Sequence, residues 1–269
     1  MKPNRFSPFV AGLFVPVVAW ICYLLLLVPT LIVFPISLGN SSEMEFPPAN
    51  PSLDLYRQFF ADPAWWGSMI QSGVIALVVT LFAIVLGVPA AYALQRSRVP
   101  GQGVIQGLIM GPLLVPVIVL ALGLYLQLGP WGGLNSNLTL ILSHVMLAIP
   151  FMMLSVGASL RHLDPALENA ALIMGASKLS IFFRVVLPQL ASGIAAGSMF
   201  AFLISLDEVI VAYFITGPDT QTLPVKMYSA IRWEVSPVIA AISTLLTIIS
   251  FVLALAIMFL ERNQRANAG

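Results

Sequence analysis

Six long apolar runs separated by polar segments set the plan of this chain. A membrane-spanning helix needs about 20 predominantly apolar residues. Runs of that order predict spans at Leu13–Phe34, Ser68–Leu94, Val104–Leu128, Leu138–Leu160, Leu190–Ile215 and Val238–Leu260. The first run exceeds the about 7–15 apolar residues of a leader peptide, and no A-x-A site follows it, so it reads as a span. The expected organisation is an N-terminal anchor helix and first outer loop over 1–67, a five-helix core over 68–262 and a short tail over 263–269. The fold class is an all-α membrane protein with six transmembrane helices.

Composition agrees with the pattern. Of 269 residues, 59% are hydrophobic and 9% charged, whereas soluble domains carry about 25% charged residues. A net charge of +1 provides no basic field for nucleic acid, and the single Cys22 excludes a disulfide framework or a cysteine metal site. The charges also orient the chain. With the N-terminus inside, nine of the 12 Lys and Arg residues fall on the inner side, so the positive-inside rule predicts N-in, C-in. The first outer loop carries Glu43, Glu45, Asp54 and Asp62, and Trp65-Trp66 is a candidate interfacial anchor before the second span.

Small residues and prolines shape the spans. Gly103, Gly107 and Gly111 recur every four residues in the third, and Gly193, Gly197, Ala201 and Ser205 in the fifth. Such stripes let helices approach closely in lipid, and packing within one subunit is the expectation for both. Pro89, Pro112, Pro116 and Pro150 predict kinks.

Ionisable groups inside a span are costly and mark either a pathway or a buried partner. Asp207 and Glu208 are the sharpest case. With Ser205 and Tyr213 on the same segment they are the candidate pathway residues, and two carboxylates suit a cationic solute. The competing reading makes them structural, bonded to an interrupted helix or to another subunit. His144 in the fourth span has no titratable companion on its own helix, so it is expected to hydrogen-bond between helices. Tyr125, Trp131, Tyr213 and Trp233 lie at the outer boundary, where aromatics form the interfacial belt. Arg232 and Glu234 form either a local ion pair or a contact for a delivered protein.

The longest inner polar segment, 161–189, has its own design. Asp164 before Pro165 is a helix start, the carboxylate capping and proline occupying the first helical position. Ala170, Ala171 and Met174 are expected on one face, Gly175 permits a reversal, and a second amphipathic piece from Ile181 leads through Leu187-Pro188 into the fifth span. A rigid protrusion held by the membrane at both ends could pass a partner's movement into the helices. An ordinary interfacial helix would instead place bulky aromatics and lysines on opposite faces.

This segment resembles the EAA signature of permease subunits of type I ABC importers: Glu-Ala-Ala, three residues, Gly, nine residues, Ile-x-Leu-Pro. Ala170, Ala171, Gly175, Leu187 and Pro188 match in register and Val185 stands for Ile, while the signature's Glu falls on Asn169, with Glu168 one position earlier. The resemblance extends over about Pro51 to Arg262 and looks closest to the spermidine/putrescine branch, through Ser205-Leu206-Asp207-Glu208-Val209, Thr216-Gly217-Pro218, Thr222-Leu223-Pro224-Val225 and Met227-Tyr228-Ser229-Ala230-Ile231-Arg232.

The resemblance implies a fold and a set of partners. The fold is that of a type I importer permease with a cytoplasmic coupling helix, in the bacterial inner membrane and surrounded by lipid. Glu168, Asn169, Ala170, Ala171, Gly175, Leu187 and Pro188 would form the ATPase-coupling segment, docking through either Asn169 or Glu168. Two copies of a cytoplasmic ATPase, a second permease subunit and a periplasmic solute-binding protein are implied. ATP and Mg would bind at the ATPase, with no cofactor or metal on this chain, which lacks a G-x-x-x-x-G-K-[ST] phosphate loop. A secondary transporter would show internal repeats with paired broken helices, and a membrane enzyme would cluster a base with a nucleophile or metal ligands. Neither pattern stands out in this chain.

Overall fold

A computed structural model describes the backbone of residues 8–40, 44–97, 100–233 and 236–267, and their side chains except 8–14 and 257–267. Helices run in the order α1 (Pro8–Ser37), α2 (Asp54–Ala61), α3 (Pro63–Arg96), α4 (Gln102–Leu114), α5 (Val117–Leu128), α6 (Asn137–His162), α7 (Pro165–Ile173), α8 (Lys178–Ile181), α9 (Leu187–Gln189), α10 (Ala191–Asp207), α11 (Ile210–Ile215), α12 (Leu223–Trp233) and α13 (Val238–Asn267). Among the described residues, four helices are long and apolar enough to cross a membrane, and up to six spans result if each of two bent pairs counts as one.

Two interruptions, one in the third run and one in the fifth, correct the expectation of continuous spans. The third run divides into α4 and α5, which meet at 105°. Pro116 explains the division, since proline removes a backbone donor and disfavours the helical conformation of the residue before it, whereas Pro112 lies inside α4. Val115 accordingly is extended at the break. Pro89 and Pro150, by contrast, lie inside unbroken α3 and α6. Just before the fifth run, α8, a π turn (Phe182–Val186) and α9 meet α10 at 75°, and within the run α10 stops at Asp207, with residues 208 and 209 separating it from α11. The sixth helix passes the expected boundary at 262 and continues to Asn267.

The chain forms two compact units. One comprises Met1–Asp62 with Glu234–Ile248. Within it, the Ser37 hydroxyl meets the Tyr56 hydroxyl at 2.7 Å, Ser52 N–H donates to the Leu38 carbonyl, and Leu55 and Phe59 are buried.

The other unit comprises Pro63–Trp233 with Ile249–Gly269. Its centre is the mutual packing of α3, α6 and α10, with α11 against α5 and α12 against α3. Buried Ile75, Val79, Leu140, Met152, Val156, Leu160 and Ala201 form the core. Close approach depends on the α10 glycines. A Cβ on Gly197 would stand 2.6 Å from Met152 Sδ, and one on Gly193 would overlap the Ser159 side chain. This is the small-residue packing expected within one subunit. The other stripe behaves differently: a Cβ at Gly103, Gly107 or Gly111 would meet nothing within 4 Å, and α4 has no buried residue. Packing within the subunit is therefore the wrong expectation for this stripe, although α4 itself rests on α6 and sets Ile109 and Met110 against the core.

Trp65 also departs from expectation. It is buried rather than at a lipid boundary, with Lys226 Nζ 4.8 Å from its ring centroid. Close by on the same two helices, the Ser72 hydroxyl accepts the Leu223 N–H.

Candidate functional site

Two regions gather the candidate residues. The first is the connection from α6 to α10. Asp164 Oδ1 accepts the Ala166 N–H at 2.9 Å, and Pro165 opens α7. Gly175 ends it in the left-handed region at φ +84°. The Ala176 N–H reaches the Ala171 carbonyl and the Gly175 N–H reaches that of Leu172, the paired bonds of a Schellman stop. Ala171 and Ile181 are buried, so α7 and α8 fold back against the helical body.

The expected face of Ala170, Ala171 and Met174 is not one face. Ala171 points inward, whereas Ala170 and Met174 are exposed. Near the turn the chain displays Leu172, Ile173, Met174 and Leu179, with Ile173 88% and Met174 81% exposed. Four large apolar side chains around one polar turn form a surface suited to a protein partner.

Glu168 faces the other way. Its Oε1 pairs with Arg96 Nε at 2.9 Å and its Oε2 accepts the Tyr92 hydroxyl at 2.7 Å. Arg96 Nη2 also donates to the Leu163 carbonyl at 2.8 Å, and the Tyr92 ring lies 5.1 Å from that of Phe182. Asn169 is exposed and, together with Glu168, Tyr92, Arg96, Leu172 and Lys178, lines a cleft of about 330 Å³. Of the two docking alternatives, Glu168 is occupied within the chain and Asn169 is available. Leu187 is half-buried and Pro188 exposed, both on α9. Sequence reasoning missed Tyr92 and Arg96. Their four-residue spacing, which places them on one helix face, is the signal that was present.

The second region is the break after α10. Glu208 is extended, and its carboxylate turns into the start of α11: Oε1 accepts the Ile210 and Val211 N–H groups at 3.0 Å each, and Oε2 accepts that of Ala212 at 2.8 Å. These are the donors a new helix leaves unsatisfied, and in lipid no water would satisfy them. His144 is buried, with Nδ1 at 2.9 Å from Ser205 Oγ and Nε2 at 3.7 Å from Glu208 Oε2. The imidazole thus bonds between α6 and α10, as read from the sequence, and the titratable companion missing from its own helix arrives from α10.

The candidate pathway residues consequently separate. Ser205 and Glu208 are used internally, whereas Asp207 is exposed. Tyr213 is exposed and stands edge-on to Tyr228, ring centroids 5.5 Å apart. Tyr125 packs edge-on to Phe214, while Trp131 and Trp233 are highly exposed. Arg232 lies over the Trp233 ring, and Glu234, read as its possible ion partner, lies outside the described residues.

Comparison with known proteins places this geometry. Residues 83–266 match the family model for the binding-protein-dependent transport system inner membrane component. The chain is 32% identical over 196 residues to the spermidine/putrescine transport system permease protein PotC of Escherichia coli (strain K12), covering 70% of this chain and 72% of PotC. It is 33% identical over 221 residues to the sulfoquinovosyl glycerol transport system permease protein SmoH of Agrobacterium fabrum, covering 80% and 76%. Its fold is similar to that of a chain in the crystal structure of a bacterial ABC transporter involved in the import of the acidic polysaccharide alginate, with a TM-score of 0.69 at 16% identity over 98% of this chain and 99% of that one. The apolar helices, the capped and glycine-stopped α7 and the family match lead to one conclusion: this chain belongs to the binding-protein-dependent transport system inner membrane component family and is a multi-pass inner-membrane permease subunit of a bacterial ABC importer.

Proposed function

We propose that this permease forms half of a solute pathway with a second permease subunit, docks α7 and its Gly175 turn into a cytoplasmic ATPase, and imports a polyamine or a similar small organic solute delivered by a periplasmic binding protein. ATP and Mg bind at the ATPase, and this chain converts the ATPase's movement into rearrangement of α3, α6 and α10. The observation that carries the coupling role is the apolar rim of Leu172, Ile173, Met174 and Leu179 around the Gly175 turn, beside a short helix that buries Ala171. Asn169, exposed beside that rim, offers the neutral amide that docks in place of the family's Glu.

A second subunit is supported by α4. Its glycine stripe is open along its length, and in lipid such a stripe favours close contact with another helix.

The cationic solute rests on Asp207 and on the neighbouring aromatic pair of Tyr213 and Tyr228. An exposed carboxylate attracts an ammonium group, and aromatic faces add cation–π attraction. The similarity to PotC supports this class, while the comparable similarity to SmoH keeps the class at small organic solutes rather than one compound.

Purification of the tagged chain from its native membrane in mild detergent, with mass spectrometry of what accompanies it, tests the assembly. An ATPase and a second permease are expected. Reconstitution of that complex with its binding protein should then give ATP-dependent uptake of labelled spermidine or putrescine. Recovery of this chain alone, moving solute down an ion gradient without ATP, would overturn the proposal. ATP-dependent uptake of an uncharged solute, with polyamines ignored, would overturn the solute class and leave the coupling role standing.

A further inference from the structure

Glu168 is not the residue that aligns with the Glu of the coupling signature; Asn169 holds that position. Yet Glu168 is the acid of the loop that meets two partners from another helix. Its two carboxylate oxygens each take one partner from the last turns of α3, Arg96 Nε at 2.9 Å and the Tyr92 hydroxyl at 2.7 Å. The ion pair is sheltered, with side-chain exposures of 23% for Arg96 and 14% for Glu168. The same guanidinium uses Nη2 to hold the Leu163 carbonyl, two residues before α7 begins. On its other side the Tyr92 ring rests on Phe182 of the π turn after α8.

One face of α3 therefore grips the connection at three places: before α7, on α7, and after α8. A lone surface ion pair would contribute little. Here the arginine meets two acceptors, donating a hydrogen bond to the Leu163 carbonyl and standing in close ionic contact with Glu168, while the carboxylate also accepts the Tyr92 hydroxyl. The polar groups are otherwise poorly hydrated, so breaking the set leaves sheltered charge without a partner.

We propose that Arg96, Tyr92 and Glu168 form a latch that joins the coupling helix rigidly to α3, so that displacement of α7 moves α3 instead of being absorbed in the loop. The three are positioning residues. They act by setting the direction of α7, which turns Asn169 and the apolar rim outward. This inference rests on the coupling role proposed for α7, and it adds the element that receives the movement. α3 is the natural receiver because it packs on both α6 and α10, the two helices that flank the connection.

Two measurements separate the latch from the coupling role on which it rests. The first uses the chain alone in detergent, with no ATPase present: hydrogen–deuterium exchange of the α7 amides in wild type and in Arg96→Gln, a change made on α3. Loss of a charge-assisted set should speed α7 exchange by about tenfold or more, with α6 and α10 unchanged. Unchanged α7 exchange overturns the latch whatever the chain's partners are. The second uses the assembled importer in liposomes and records solute moved per ATP hydrolysed. Arg96→Gln and Glu168→Gln should still co-purify with the ATPase, while this ratio falls by about tenfold. Exchanging the pair, Arg96→Glu with Glu168→Arg, should recover much of the ratio, which a general loss of fold would not allow. A ratio equal to wild type in both single variants overturns the proposal. Loss of ATPase binding in Glu168→Gln, with Arg96→Gln normal, also overturns it by assigning Glu168 to the docking surface.

Discussion

His144 on α6 and Glu208 in the break between α10 and α11 are 64 positions apart in the sequence, and meet with Nε2 3.7 Å from Oε2. The carboxylate at this meeting point is also the cap of α11, and the imidazole also holds Ser205. The interruption after α10 is thus a built feature, with its freed backbone donors satisfied by one side chain and that side chain backed by another helix.

Two adjacent acids should therefore respond differently to substitution. Glu208→Ala removes the acceptor for three backbone N–H donors and should destabilise the chain by about 2–4 kcal/mol. Asp207→Asn should leave thermal unfolding in detergent nearly unchanged, because its side chain is exposed, yet lower uptake of a cationic solute. Unfolding temperature and uptake, measured on both variants, check this. Equal stability loss in both would show that Asp207 is structural as well.

Gly175 is required for its backbone conformation alone. A Cβ there meets nothing within 4 Å, but φ is +84°. Gly175→Val should cost about 1–3 kcal/mol of local strain, loosen the end of α7 and reduce both ATPase co-purification and uptake. Gly175→Asn should be milder, since asparagine tolerates this conformation. Full uptake in the valine variant would remove the turn from the coupling mechanism.

The two glycine stripes give opposite expectations. Gly197→Val drives atoms into Met152 and Ser155 and should cost about 1–3 kcal/mol or more through overpacking. Gly107→Val has open space around it, so the isolated chain should unfold at nearly the wild-type temperature while recovering less of the second permease in a pull-down. Normal recovery would move the subunit contact away from α4.

Asp164 has a smaller, local effect. Replacing it with alanine removes the acceptor for the Ala166 N–H and should destabilise the start of α7 by about 1 kcal/mol. Faster hydrogen exchange confined to the first turn of α7 is the expected readout, with α6 unaffected.

Much of this was legible from residue order, and the reasons are local. Runs of apolar residues need no partner to identify them, since lipid requires helices of a given length. Asp164-Pro165 and Gly175 announced a short helix with both ends specified, because capping and positive φ depend on neighbouring backbone only. The paired prolines at 112 and 116 announced a kink, though not that it would open to 105° and divide the run in two.

What failed to appear was whatever depends on two distant segments meeting. The Gly103, Gly107, Gly111 stripe and the Gly193, Gly197 stripe look alike in sequence, yet one is open and the other lies against α6. Glu168 and Asn169 were equal candidates until Arg96 and Tyr92 arrived from α3 to claim the first. Asp207 and Glu208 were a single acidic pair until the helix break turned one outward and the other onto α11. The sequence alone determined that the chain is helical, inhabits a membrane and carries a capped, glycine-stopped helix in its longest polar segment, because hydrophobic length, caps and glycine conformation are properties of contiguous residues. Tertiary structure decided which glycines are packed, which carboxylates are occupied and which remain free, because a polar group's role depends on partners that only folding brings within hydrogen-bond reach.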